Sequence, residues 1–167
     1  LDLKEILSRT VDNDKLTGEI NMEVAINGNG RHGQELISSL NGGIQIENIG
    51  DGEISGLNLR RFSDQIGNLN DIGDFVRLAE ISFEQGSTTF TDLSGSFSIE
   101  NGQLTTEDFS LVADGGAGEL VGTLDLAALQ QNFILTFKLT EHPDLPKFKM
   151  LFQGAIDAPT LTFETSE

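Results

Sequence analysis

The chain has 167 residues with ten Lys or Arg against 27 Asp or Glu, a formal charge of −17. That length fits one domain with a core large enough to fold without staples. The absence of Cys excludes disulfides, thiolate metal sites and a Cys nucleophile. No Lys or Arg lies between Leu78 and Phe137, where nine Asp or Glu do, so the surface repels phosphate backbones and excludes nucleic acid as a partner.

Nineteen Gly, 11 Phe and no Trp or Tyr make a Gly-rich, β-type composition. The uncharged run Leu126 to Phe137 contains Gln130, Gln131 and Asn132, short of the roughly 20 apolar residues that a membrane span requires. The chain starts at Leu1 with no basic-then-apolar leader, as expected of a piece of a longer protein.

In chain order, Leu3, Ile6 and Leu7 suggest a first short helix over Leu3 to Ser8. From Leu16 to Ile26 the apolar residues fall on even positions with Thr, Glu and Asn between them, the period of a half-buried strand. Gln34 to Leu40 is a short amphipathic helix, stopped by Asn41-Gly42-Gly43. Alternation resumes at Ile44/Ile46. A longer helical stretch, about Asn58 to Glu80, carries Leu59, Phe62, Ile66, Leu69 and Val76 on one stripe, with Gly67 and Gly73 expected to break or bend it. Strands then return at Phe97/Ile99, Phe109/Leu111, Leu120 to Leu126, Phe133 to Leu139, Phe148 to Phe152 and Leu161/Phe163. Asp51-Gly52 and Asn101-Gly102 are expected as hairpin turns, since these residues tolerate positive φ. Strands joined by short turns imply an antiparallel meander.

Leu40 to Glu47 matches Leu93 to Glu100 as an internal repeat, which predicts that Ile46 and Ile99 face the same inward side. A wider apolar-x-Gly pattern opens several strands, at Leu16/Gly18, Leu40/Gly42, Leu93/Gly95, Leu120/Gly122 and Phe152/Gly154. Gly inside a strand marks a bend or the close approach of another backbone, so its recurrence predicts a strongly curved sheet.

Signals that resemble reaction chemistry are weak. Gly28-Asn29-Gly30-Arg31-His32-Gly33 has the GxGxxG spacing, but the strand before it is half polar and no βαβ series follows, so it reads as a strand-to-helix turn. Asp12 and Asp14 lack the oxygen ligands and Gly of a Ca²⁺ loop. Glu107 and Asp108 read as solvated surface, and the lack of Trp and Tyr removes sugar platforms from a carbohydrate-acting enzyme. His32, in a polar turn, and His142, before Pro143, both read as exposed, with no nucleophile context. No cofactor, metal or catalytic residue is assigned.

Three sets of residues together resemble the C-terminal domain of the AsmA-like family. They are Leu36 to Ile44 continuing through Gly52 to Leu59, Thr91 to Thr106 with Asp108 to Leu111, and Gly118 to Leu126 with the closing Gly154 to Pro159. The longer Asn48 to Gly52 stretch departs from the family's plain glycine turn. The resemblance implies a single domain over 1–167, part of a larger envelope protein of Gram-negative type. Its body would lie in the periplasm, anchored to the inner membrane by a segment absent here. It further implies a curved β-sheet around an apolar groove, a link to phospholipid movement towards the outer membrane and to envelope integrity, and no catalytic residues.

The expected fold is therefore mainly β: a strongly curved antiparallel sheet, an open half-barrel or taco, with one or two packed helices. Leu124, Leu126, Phe133, Leu135 and Phe137 are the expected lipid-binding residues, a broad apolar face for phospholipid acyl chains. The scarcity of basic residues there leaves the charged head in water. The alternative is a closed-core docking module whose acidic face binds an envelope protein partner.

Overall fold

The computed structural model describes residues 16–67, 74, 77, 78, 82 and 85–165. Its strands are β1 (Leu16–Asn27), β2 (Asn41–Ser55), β3 (Ser87–Glu100), β4 (Gln103–Ala113), β5 (Gly116–Asp125), β6 (Gln130–Leu139), β7 (Phe148–Ala155) and β8 (Thr160–Thr165). They form one eight-stranded sheet in sequence order, every neighbouring pair antiparallel. The sheet does not close into a barrel: β1 and β8 are its edges. Among the described residues two helices can be given bounds, α1 (Gly33–Ser38) and α2 (Leu59–Ile66), and Asp74, Arg77, Leu78 and Ser82 are helical as well. The mainly β, open antiparallel fold expected from the alternation is thus the fold observed, and each expected strand has its counterpart. The expected helix at Leu3 to Ser8 lies outside the described residues, as does much of the stretch beyond Gly67.

Close approach of a neighbouring strand accounts for Gly18, Gly42, Gly95 and Gly122 of the Gly pattern, whereas Gly154 has nothing within 4 Å. Gly52 pairs directly with Phe90, whose ring fills the space that a side chain on the glycine would need, and Gly122 pairs with Phe133, where the Asn132 carbonyl and the Phe133 backbone take that space with the ring beside them. Phe109 approaches Gly95 with its backbone Cα first and its side chain beside it, from across the β3–β4 pair. Bare backbone under an aromatic ring lets bulky side chains pack flat on a sheet that bulges repeatedly, at Thr17/Glu19, Glu47/Gly52, Ser94/Ser98 and Thr106/Phe109.

Three local expectations are corrected. Asp51-Gly52 is not a hairpin turn; it sits inside the 15-residue β2, in a bulge. Asn48 makes this possible, because its side-chain amide donates to the carbonyls of Gly50 (2.7 Å) and Thr91 (2.9 Å) and its oxygen accepts from Leu93 N–H (3.0 Å). With those groups satisfied, the extra residues loop out without ending the strand. Asn101-Gly102 is the turn expected, with φ of 50° and 77°. Asn41-Gly42-Gly43 does not follow the first helix as a bare stop, since α1 ends at Ser38 and these residues open β2. Leu126 falls just past β5, in a turn where the Asp125 carboxylate accepts from the N–H groups of Ala127 and Ala128.

α2 packs into the core with Leu59, Phe62, Ser63 and Ile66 buried, and helical Leu78 and Ser82 are buried too, whereas α1 buries no residue. Asn58 caps α2 by accepting from Arg61 N–H (2.8 Å), and Gly67 ends it, as the sequence implied.

Candidate functional site: an apolar face half covered and half open

Cross-strand partners share a face, so the register identifies every residue on each side of the sheet. One side carries Ile20, Met22, Val24 and Ile26 of β1, Ile44, Ile46 and Ile54 of β2, and Phe90, Leu93, Phe97 and Ile99 of β3. It continues through Leu104, Phe109 and Leu111 of β4, Leu120 and Leu124 of β5, and Phe133, Leu135, Phe137 and Leu139 of β6. Phe148, Met150 and Phe152 of β7 with Leu161 and Phe163 of β8 complete it. No Asp, Glu, Lys or Arg that the register pairs within the eight strands belongs to this face. The other side carries the charges, among them Glu19, Glu23, Glu47, Glu119 and Lys138.

The face has two ends. At the end where β2 leads into α2, the helix lies on the sheet, and Ile20, Phe90, Leu93, Phe137, Leu139 and Phe148 form a closed core with it and with helical Leu78. The centre of that core is aromatic: Phe62 meets Phe137 edge-on at 6.0 Å and Phe148 at 5.6 Å, while Phe137 and Phe148 stack at 5.4 Å. At the other end, Ile44, Phe97, Leu104, Leu124, Phe133 and Phe152 are only half-buried. Towards the edges Val24 is 52%, Ile26 39% and Leu161 48% exposed. Phe97 and Phe109, with ring centroids 5.6 Å apart, line this open part.

Four of the five expected lipid-binding residues divide between the two halves, and Leu126, in the turn past β5, has no register partner that assigns it to the face. Leu124, Leu126, Phe133 and Leu135 are half-buried, whereas Phe137 is 4% exposed, under Phe62. Leu135 marks the boundary, being packed against the closed core from its rim. Val24, Ile44 and Phe97 are residues of the open half that sequence reasoning did not single out. Their signal was the same period-two alternation, but it does not say which part of a face a helix will cover. The repeat places Ile46 and Ile99 on the same face, as expected, though unequally: Ile99 is buried and Ile46 half-buried.

His142 corrects a further expectation. It is half-buried rather than exposed, and its Nε2 lies 2.7 Å from the Ser63 carbonyl in α2. His32 is exposed in the turn before α1, and the GxGxxG stretch is a strand-to-helix turn on an antiparallel sheet. Among the described residues no group of three His, Asp or Glu is placed to hold a metal ion, and no helix is long and apolar enough to cross a membrane.

An open antiparallel sheet with one apolar face, part closed under a helix and part half-buried with exposed edges, defines an amphipathic β-protein built around an apolar surface. The model of the AsmA family matches residues 1–109, well over half of the chain, and the chain belongs to that family. Membership suggests an envelope-associated role related to lipid transport. No match was found among curated proteins or among solved structures.

Proposed function

We propose that this is a non-enzymatic C-terminal domain of a periplasmic protein anchored in the inner membrane by a segment outside this chain. The open half of its apolar face is part of a groove that passes phospholipid towards the outer membrane and so supports envelope integrity. The observation that carries this reading is the bare half itself. A monomeric protein rarely leaves a contiguous apolar surface uncovered, and larger exposed patches mark binding sites. An acyl chain needs only apolar contact, about 0.8 kcal/mol for each CH₂ removed from water, and asks for no charged partner on a face that has none. Leu124, Leu126, Phe133 and Leu135 are the contacts proposed, with Phe137 as the wall where α2 begins to cover the face.

The test is a photo-crosslinking residue placed in the full-length protein in cells. At Phe133 or Leu135 it should capture phospholipid, and at Thr136 or Lys138, on the opposite face, it should not. Equal capture on both faces, or none on either, would leave the docking module. That second reading has its own observation, a depression of about 470 Å³ on the polar face lined in part by Glu23, Gln45, Glu47, Ser96 and Asp108. Its carboxylates suit a protein partner offering Lys or Arg.

A further inference from the structure

We propose that the open and closed halves of the apolar face are one site, and that α2 is a hinged cover over the closed half, latched by His142. The proposal rests on the groove reading above and extends the site beneath the helix.

The two ends of α2 are held differently. At its start, four hydrogen bonds tie the chain to its neighbours. Leu59 N–H donates to Thr88 Oγ1 (3.1 Å), whose hydroxyl donates to Leu57 O (2.7 Å). Asn58 N–H donates to Ser82 O (2.8 Å) and Gly56 N–H to Gly86 O (2.7 Å). The Arg60–Asp114 ion pair, 3.2 Å long, lies beside them on the surface. From Ser63 to Gly67, by contrast, the described residues make one polar contact with another element, that of the Ser63 carbonyl with His142 Nε2. That carbonyl belongs to the last turn, where backbone oxygens lack helical partners and accept from outside groups. The many bonds form a hinge and the single one a latch.

The underside of the latched end is also compromised. Ser63 is fully buried and its hydroxyl has no hydrogen-bond partner among the described residues. A buried hydroxyl without a partner disfavours the closed state, and lifting the helix returns it to water. Beneath lies Phe137, which continues Phe133 and Leu135 along the same face of β6. The apolar stripe thus runs on from the half-buried Phe133 to Phe137 and its neighbour Phe148, both of which are packed against Phe62 of α2.

The absence of Cys makes the test direct. In the full-length protein, freed of any Cys outside this chain, Ser63→Cys puts a near-isosteric thiol under the helix and Thr106→Cys puts one at a buried place in the sheet. Maleimide should label the first at least ten-fold faster, and adding His142→Ala should speed the first at least three-fold and leave the second unchanged. Equal rates for the two thiols, or an equal response of both to His142→Ala, would mean that α2 opens only when the whole domain does, and would overturn the proposal.

A second measurement uses photo-crosslinking residues at Phe133 and Phe137. Both should capture phospholipid. Bridging Gly67→Cys to His142→Cys with a bis-maleimide should abolish capture at Phe137 and spare Phe133. Capture at Phe133 alone, bridged or not, makes α2 a fixed wall: the groove stands and the cover falls. Capture at Phe137 that survives bridging likewise overturns the cover. Capture at neither position overturns the groove and, with it, this proposal.

Discussion

Ile44 and Phe97, which occupy equivalent places in the internal repeat, are direct cross-strand partners. Their flanks follow suit: Gly42 pairs with Ile99 and Ile46 with Gly95, so each repeat's glycine faces the other's isoleucine. The two copies are thus related by a local two-fold axis through the β2–β3 pair. The glycines sit on the apolar face because the neighbouring strand leaves them no room, Gly42 against the backbone of Ala25 and Ile26 in β1 and Gly95 against Phe109 in β4.

Gly42→Ala and Gly95→Ala should therefore each destabilise the domain by about 1–3 kcal/mol, the usual effect of forcing extra atoms into a packed site. The contacts at both include backbone atoms, which cannot rotate away. Gly33→Ala, where nothing lies within 4 Å, should be neutral or stabilising by up to about 1 kcal/mol through the unfolded chain. Urea denaturation of the three variants checks the ordering.

Phe62→Ala should cost about 3–5 kcal/mol, as for other buried aromatic truncations, because it removes the ring on which Phe137 and Phe148 close. Val24→Ser changes an exposed position on the same face and should alter stability by no more than about 0.5 kcal/mol. If the open half binds acyl chains, Val24→Ser should nevertheless reduce phospholipid capture. Urea midpoints measured beside crosslinking yields separate the two effects. A Phe62→Ala midpoint equal to that of the wild type would contradict the closed aromatic core.

The Asp108 carboxylate accepts from Ser96 N–H and Ser96 Oγ–H, both at 2.8 Å, in the stretch where the register of β3 against β4 jumps between Ser94 and Ser98. These bonds, the backbone one first, hold its pKa below the ordinary carboxylate value. A lowered folded-state pKa gives stability that is present above the unfolded value, near 4, and is lost as pH falls through the folded one. Asp108→Asn should thus lower the melting temperature at pH 6, and the gap from the wild type should narrow below about pH 4. A gap independent of pH would mean that the charge contributes nothing.

The alternation of Leu16 to Ile26 and of Phe133 to Leu139 was sufficient by itself to specify strands, their two faces and which face is apolar, because side-chain direction in a strand has a period of two whatever surrounds it. The same holds for the Asn101-Gly102 turn, where two residues tolerant of positive φ leave the chain little alternative. Tertiary structure decided the rest. Whether Asp51-Gly52 turns or bulges depended on Asn48 finding the Thr91 carbonyl and Leu93 N–H, 43 and 45 residues away. Which end of the apolar face is closed depended on where α2 comes to rest, and this separates Phe137 from Phe133 although the two are neighbours in one pattern. Local preference acts over a few residues of chain, while coverage of a sheet is a contest among distant segments for the same surface. Only the folded chain resolves that contest, by placing Phe62 on one half and leaving the other bare.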